Sequence, residues 1–277
     1  MWLTISIIIG IYILICLLAY LIQERFIFHP ERLPQNFRYQ YEYPFEEFFL
    51  EPEENVILNG LLFRLPRSKG LVFYFKGNSR SVKGWSRFAR DFLGKGYDFF
   101  MFDYRGFGKS RGKRTEEAMY NDAIFAYNYI KQFYDEDKII IYGRSIGSGF
   151  ATRTAALNKP QKLILDSPYY SFTNIARRYL PIFPVERILK YHIRTDLWMK
   201  DVKCPVYILH GTNDWLIPLK SGIKLSKLAA KGILIPIEDA SHNNLPRFAA
   251  YHDHLYAILN EVERNYLYNM GMRASYD

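Results

Sequence analysis

The chain has 277 residues, 49% hydrophobic and 23% charged, a balance that excludes a disordered segment and supplies a sizeable core for one or two domains. Its 13 prolines and 17 glycines follow no period, which excludes collagen-like and low-complexity classes, and Cys16 and Cys204 alone build neither a disulfide framework nor a structural zinc site. The formal charge of +9 gathers into no basic run or recognised nucleic-acid motif. Nucleic acid is therefore not expected as a partner, and the charge reads as attraction toward anionic lipid headgroups or as a solvated surface.

Residues 1–23 contain no Lys, Arg, Asp or Glu, and 2–22 are almost wholly apolar. At a rise of about 1.5 Å per residue this run covers about 30 Å, the thickness of a bilayer hydrocarbon core. A cleaved signal peptide needs a basic n-region, a shorter apolar run and a small-residue cleavage site, and a buried globular helix keeps a polar face. Neither pattern is present, so 1–23 is expected to be a single-pass anchor in the membrane bilayer. Arg25, Arg32 and Arg38 follow it and no basic side chain precedes it, which by the positive-inside rule puts the rest of the chain on the cytoplasmic side.

Residues 24–44 read as a linker, with Pro34 and Pro44 breaking any helix. Two extended runs follow at 45–50 and 56–65, then an alternation. Strands are expected at 71–75, 97–102, 138–142, 162–166, 206–210 and 233–237. Helices are expected at 85–93, 116–133 with Thr115 as N-cap, 146–157 and 221–230, and from Pro246 to about 268. This order argues an α/β fold with a mostly parallel central sheet, helices on both faces and an antiparallel pair at one edge. This α/β domain would span 45–270, leaving 271–277 as a C-terminal tail. One segment, about 169–203, breaks the alternation; it is aromatic, carries Pro181 and Pro184, and fits a short lid insertion.

Gly143-Arg144-Ser145-Ile146-Gly147 lies between an apolar strand and a helix, the context of a nucleophile elbow. Glycine on both sides lets strand and helix approach while a strained turn exposes the serine. An acid and then a histidine should follow in the chain. Asp214 stands in a loop just after the strand at 206–210, and His242 follows the strand at 233–237. Asp214 is the favoured orienting acid on its strand-end position; Asp239, also near His242, is the alternative.

Together with Phe26-Ile27-Phe28-His29-Pro30, Lys76-Gly77-Asn78, Asp103-Tyr104-Arg105-Gly106-Phe107-Gly108 and His210–Asp214, these motifs resemble the α/β-hydrolase superfamily. Within it they are most similar to membrane-anchored serine hydrolases with a serine-aminopeptidase-like or esterase-like core. The resemblance runs from about 26 to 267. It implies an α/β-hydrolase fold, a triad of Ser145, Asp214 and His242, and an oxyanion hole made by the backbone N–H groups of Asn78 and Ile146, with Ser79 replacing Asn78 if the loop is shifted by one. The family usually writes His-Gly where this chain has Lys76-Gly77, which is expected to alter the charge beside the pocket. Arg105 either steadies its loop or touches substrate, the first reading being preferred. His252 and His254, at i,i+2, do not share a helix face, and no metal or cofactor is implied. The expected activity is hydrolysis of acyl esters or thioesters of a small-molecule or lipid-like substrate through an acyl-enzyme. The alternatives are a serine peptidase of aminopeptidase type and a catalytically silent membrane-tethered binding protein.

Overall fold

In the computed structural model, which describes residues 1–260, the chain opens with one helix, α1 (Trp2–Ile27), long and apolar enough to cross a membrane. Then come β1 (Phe45–Leu50), β2 (Leu58–Phe63), β3 (Leu71–Phe75), α2 (Val82–Trp85), α3 (Ala89–Leu93) and β4 (Asp98–Phe102). The middle holds α4 (Glu116–Ile130), β5 (Ile139–Arg144), α5 (Gly147–Ala156), β6 (Lys162–Asp166), α6 (Phe172–Tyr179), α7 (Val185–Ile188) and α8 (Thr195–Met199). The rest is β7 (Val206–Gly211), α9 (Leu219–Leu228), β8 (Gly232–Ile237) and α10 (Ala249–Asn260). The expected continuation of the last helix to 268, and the tail at 271–277, lie outside the described residues.

The eight strands form one sheet in the order β1-β2-β4-β3-β5-β6-β7-β8. β1–β2 and β2–β4 pair antiparallel and all other neighbours pair parallel, so the early extended pair does make an antiparallel edge. The inner strands are continuous Val/Ile/Leu/Phe runs because both their faces are covered. Alternation splits their side chains cleanly. Phe73, Ile141, Leu163 and Ile208 join one core with α4, α5 and Leu225 of α9, while Tyr74, Tyr142, Ile164 and Leu209 join the other with Phe92 and Leu255. At the far edge, the carbonyls of Lys231 and Ile237 accept from Val206 and Thr212, so Pro236, one step out of phase, faces away from β7.

The elements differ from expectation where distant partners set them. The helix at 85–93 begins earlier, at Val82, because the Asp103 carboxylate accepts the Val82 N–H at 3.0 Å. It is also broken by a 3-10 turn at Ser86–Phe88. The strand at 56–65 is trimmed to β2, its C-terminal side ending where Leu65 N–H turns to the Asp98 carboxylate (2.8 Å). Thr115 caps α4 by accepting from Ala118 N–H (3.1 Å).

The apolar helix α1 is not detached from the rest of the chain. The helix runs on past the expected boundary at 23 to Ile27, since nothing before Pro30 interrupts it, and the first residues of the expected linker are its last turn. Ile27 and Phe28 are buried, with Phe28 edge-on to Tyr191 (5.0 Å) and Phe107 (6.3 Å). His29 N–H donates to Asn78 O and Arg80 N–H to His29 O, both at 2.9 Å, lacing this stretch to the loop after β3. On the other side the 169–203 insertion grips α1. Gln23 Nε2 donates to Ile188 O, and Gln23 Oε1 accepts from Lys190 N–H, both at 2.8 Å. Further along the helix, Tyr12 Oη donates to Ile182 O (2.7 Å) and its ring stacks on Phe183.

Candidate active site

β5 ends at Arg144 and α5 begins at Gly147, so Ser145 and Ile146 are the whole strand-to-helix turn. Ser145 has φ 51°, the left-handed region that a side chain adopts only where its surroundings enforce it. Packing enforces it here. A Cβ on Gly143 would stand 2.5 Å from Ala151 Cβ, and one on Gly147 would stand 2.6 Å from the carbonyl oxygen of Lys76. The two glycines thus let α5 press against β5 and β3, and Ser145 N–H is fixed by Asp166 O at 2.9 Å.

The three residues expected to work together converge at the carboxyl ends of β5, β7 and β8. Ser145 Oγ lies 2.9 Å from His242 Nε2, and His242 Nδ1 lies 2.8 Å from Asp214 Oδ2. In the tautomer these partners select, Nδ1–H donates to the carboxylate and Nε2 accepts the serine proton. Asp214 is buried, and its other oxygen accepts Ile217 N–H at 2.8 Å, which locks the carboxylate's plane. Asp239 is exposed, its carboxylate 3.3 Å from Asn213 Nδ2, and it is not the partner of His242.

Ser145, Ile146, Asn78, Ser79 and His242 line one cavity of about 390 Å3. The backbone N–H groups of Asn78 and Ile146 are engaged by no backbone carbonyl among the described residues. The Asn78 side chain, by contrast, is committed, donating to Ile27 O at 2.6 Å. The cavity's far wall is apolar, with Tyr169, Phe172 and Ile175 from the insertion, Leu216 and Ile217 from the loop after β7, and Phe26 and Ile27 from the end of α1.

Two charged residues near the motif face elsewhere. Lys76 does not alter the charge of the pocket. Its side chain is fully buried on the other side of the loop, 3.3 Å from Asp103 Oδ1 and 3.8 Å above the Phe107 ring. Burial pulls its ammonium down to about 8 and pushes the Asp103 carboxyl up to about 6, leaving a compensated pair at neutral pH. Arg105 forks onto Asp122 with two bonds of 2.7 Å and reaches Glu53 at 2.6 Å, so it ties loops together and does not line the cavity. His252 is engaged by Pro246 O, and no cluster of three or more metal-ligating side chains occurs among the described residues.

Arg144 and His210 stand in the quoted motifs but were given no role from the sequence. Arg144 lines the cavity and pairs with buried Asp166 (3.5 Å) beside the Trp85 and Phe88 rings. His210 is wholly buried beneath Asp214. Its Nε2 donates to Ile217 O at 2.8 Å, pinning the loop that carries the carboxylate, and burial pulls its pKa down, keeping the ring neutral. The only sequence signal for it was its place four residues before Asp214 at a strand end.

Residues 66–190 match the family model described as serine aminopeptidase, S33. The chain is 31% identical over 224 residues to the lysophosphatidylserine lipase ABHD12 of Danio rerio, covering 66% of this chain and 58% of that one. It is 27% identical over 188 residues to the uncharacterized protein MT2364 of Mycobacterium tuberculosis, covering 66% of each. The chain thus spans less than two thirds of the length of the ABHD12 relatives it matches. Among solved structures, the Pyrococcus furiosus esterase Pf2001 superposes with a TM-score of 0.65 at 19% identity, covering 85% of this chain and 97% of that one. Est1E of Butyrivibrio proteoclasticus, with ferulic acid bound, gives 0.64 at 20% identity, covering 78% and 97%. The fold is the α/β-hydrolase fold, and over 66–190 the chain is similar in sequence to the serine aminopeptidase family.

Proposed function

We propose that this protein is a serine hydrolase, tethered to a membrane by α1, that cleaves the carboxylic esters of lipid-like acyl substrates. The observation that carries the reading is the unbroken hydrogen-bonded line from Ser145 through His242 to Asp214, ending in a cavity with an apolar wall. His242 Nε2 takes the Ser145 proton as Oγ adds to the acyl carbonyl, and Asp214 orients the imidazole and stabilises its charged form. The carbonyl electrons move onto oxygen, which the N–H groups of Asn78 and Ile146 hold. Collapse of that intermediate expels the alcohol, which takes its proton from His242. Water, deprotonated by the same imidazole, then releases the carboxylic acid and restores Ser145.

An ester substrate is favoured over a peptide by the cavity itself. An aminopeptidase needs an anionic group to hold the substrate's α-ammonium, and among the described residues none lining this cavity is Asp or Glu. The ABHD12 relatives are named for a lipase acting on lysophosphatidylserine, a monoacyl ester, and the apolar wall suits such a tail. In the proposed organisation, 45–270 is the hydrolase domain, 169–203 its lid, and Arg25, Arg32 and Arg38 favour the cytoplasmic side.

Labelling of the intact protein by a fluorophosphonate probe is the test. Wild type should react while Ser145→Ala and His242→Ala do not, and Asp214→Asn should lower ester turnover by roughly 10^4-fold. Turnover of monoacyl phospholipid esters should exceed that of aminoacyl nitroanilides. A folded wild type that resists the probe would leave only a silent, membrane-tethered binding protein.

A further inference from the structure

A second cavity, of about 560 Å3, runs along the flank of α1. Its walls are Ile15, Leu18, Ala19 and Ile22 on one side and α6 with Ala176 and Leu180 on the other. Five residues, Phe26, Ile27, Phe172, Ile175 and Tyr179, line both this groove and the cavity at Ser145. The two spaces are therefore neighbours across one shared apolar rim. The groove offers a ligand nothing polar to bond. The Gln23 amide is spent on Tyr20 O, Ile188 O and Lys190 N–H, and the Tyr179 hydroxyl is spent on Trp215 O and Leu216 O.

Its position relative to the bilayer decides what fills it. The groove residues from Ile15 to Ile22 belong to the uncharged run of α1, so the groove opens within the thickness of the hydrocarbon and not above it. The insertion follows α1 downward. Tyr12, which holds Ile182 O and stacks on Phe183, stands about 16 Å along the helix from Gln23. The tip at 180–184 is suited to that depth. It is Leu-Pro-Ile-Phe-Pro, and Ile182 and Leu180 are exposed. Two of its five residues have no N–H. Leu180 and Phe183 N–H are met by Ala176 and Leu180 carbonyls, and Ile182 O is met by Tyr12. These bonds reduce the number of backbone polar groups that the tip would bring to the hydrocarbon.

We propose that the groove between α1 and α6 is an acyl-chain site, through which the tail of a membrane lipid passes sideways from the bilayer to the rim at Phe26 and Ile175, placing its ester at Ser145. This rests on reading Ser145 as an ester-cleaving nucleophile and adds to it the route and seat of the tail. A chain lying there exchanges lipid neighbours for apolar side chains, so no part of it crosses water on the way to the site.

The test has two arms, both on the full chain in phosphatidylcholine vesicles. Ala19→Trp fills the groove from α1 without touching the hydrolase core. It should lower the ratio of long-acyl to short-acyl ester turnover tenfold or more, whereas Leu17→Trp, roughly opposite on the helix, should leave that ratio at the wild-type value. An unchanged ratio in Ala19→Trp overturns the proposal while leaving ester hydrolysis standing. If no ester is turned over, the hydrolase reading fails separately, and the second arm still decides the groove. Ser145→Ala protein is irradiated with a monoacyl phospholipid carrying a diazirine in its tail, and cross-links are mapped by mass spectrometry. Concentration of label on Ala19, Ile22, Phe172 and Leu180 supports the site; equal labelling around α1 overturns it.

Discussion

Removing the Lys76 ammonium should destabilise the protein without changing the charge its pocket presents. The side chain is fully buried, with Asp103 Oδ1 at 3.3 Å and the Phe107 and Tyr104 rings at 3.8 and 4.8 Å. Asp103 also accepts Val82 N–H with both oxygens, at 3.0 and 3.1 Å, so the pair sits under the start of α2 and the loop that offers Asn78. Lys76→Met strands a buried carboxylate, and breaking such a pair typically costs about 3–5 kcal/mol. At roughly 2–4 °C per kcal/mol for a chain of this size, the Tm should fall by about 6 °C or more. Lys76→Met with Asp103→Asn removes both charges yet keeps an acceptor for Val82 N–H, and should recover most of the loss. The coupling between the two sites should then exceed a single-variant loss, about 3 kcal/mol or more. Thermal unfolding at pH 7 of wild type, both single variants and the double variant measures the cycle, and fluorophosphonate labelling rates on the same samples read the pocket. A Lys76→Met variant as stable as wild type, or a stable double variant with an altered labelling rate, would refute the reasoning.

Gly147→Ala should fail at the elbow, because its Cβ meets the Lys76 carbonyl; overpacking of this kind costs about 1–3 kcal/mol, and displacing α5 should slow labelling of Ser145 at least tenfold. Gly10→Ala, with open space around it, is the neutral comparison in the same assay. For His210 the sign follows from burial, which holds its folded pKa below the ordinary 6.5. The unfolded chain then binds the proton first, so stability present above pH 6.5 is lost as pH falls toward the folded value, by at most about 1.4 kcal/mol per pH unit. His210→Gln keeps an Nε2–H for Ile217 O and does not titrate, so unfolding between pH 7 and 5.5 should show a shallower acid loss than wild type.

The sequence was most legible where the determinant was local. Residues 71–75 and 162–166 read correctly to the residue because each is an apolar run in a sheet covered on both faces. The start of α4 was marked by Thr115, whose hydroxyl does the capping it predicts. Ser145, Asp214 and His242 were readable as a group because each directly follows a strand of one parallel sheet, and such strands present their carboxyl ends together. What could not be read depends on partners far apart in the chain. Ser81 precedes α2, but its hydroxyl goes to Glu31 and the helix is started by Asp103. The charge at Lys76 was legible and its direction was not, since only Asp103 and the rings of Tyr104 and Phe107 show where it points. The grip of the insertion on α1 joins Gln23 to residues 165 and 167 positions later, a relation no periodicity records.

Pro236 gives the sheet its boundary. Among the described strands β1 and β8 are the two edges, and β8 would otherwise present an unbroken row of outward amides to a passing strand. Proline there removes one donor from the outward-facing row, so a second chain attempting to continue the ladder meets a gap near the strand's carboxyl end. A membrane confines its proteins to two dimensions and raises how often neighbours collide. For a protein tethered to a membrane by α1, as proposed, an edge with a donor missing disfavours the strand addition by which crowding becomes aggregation.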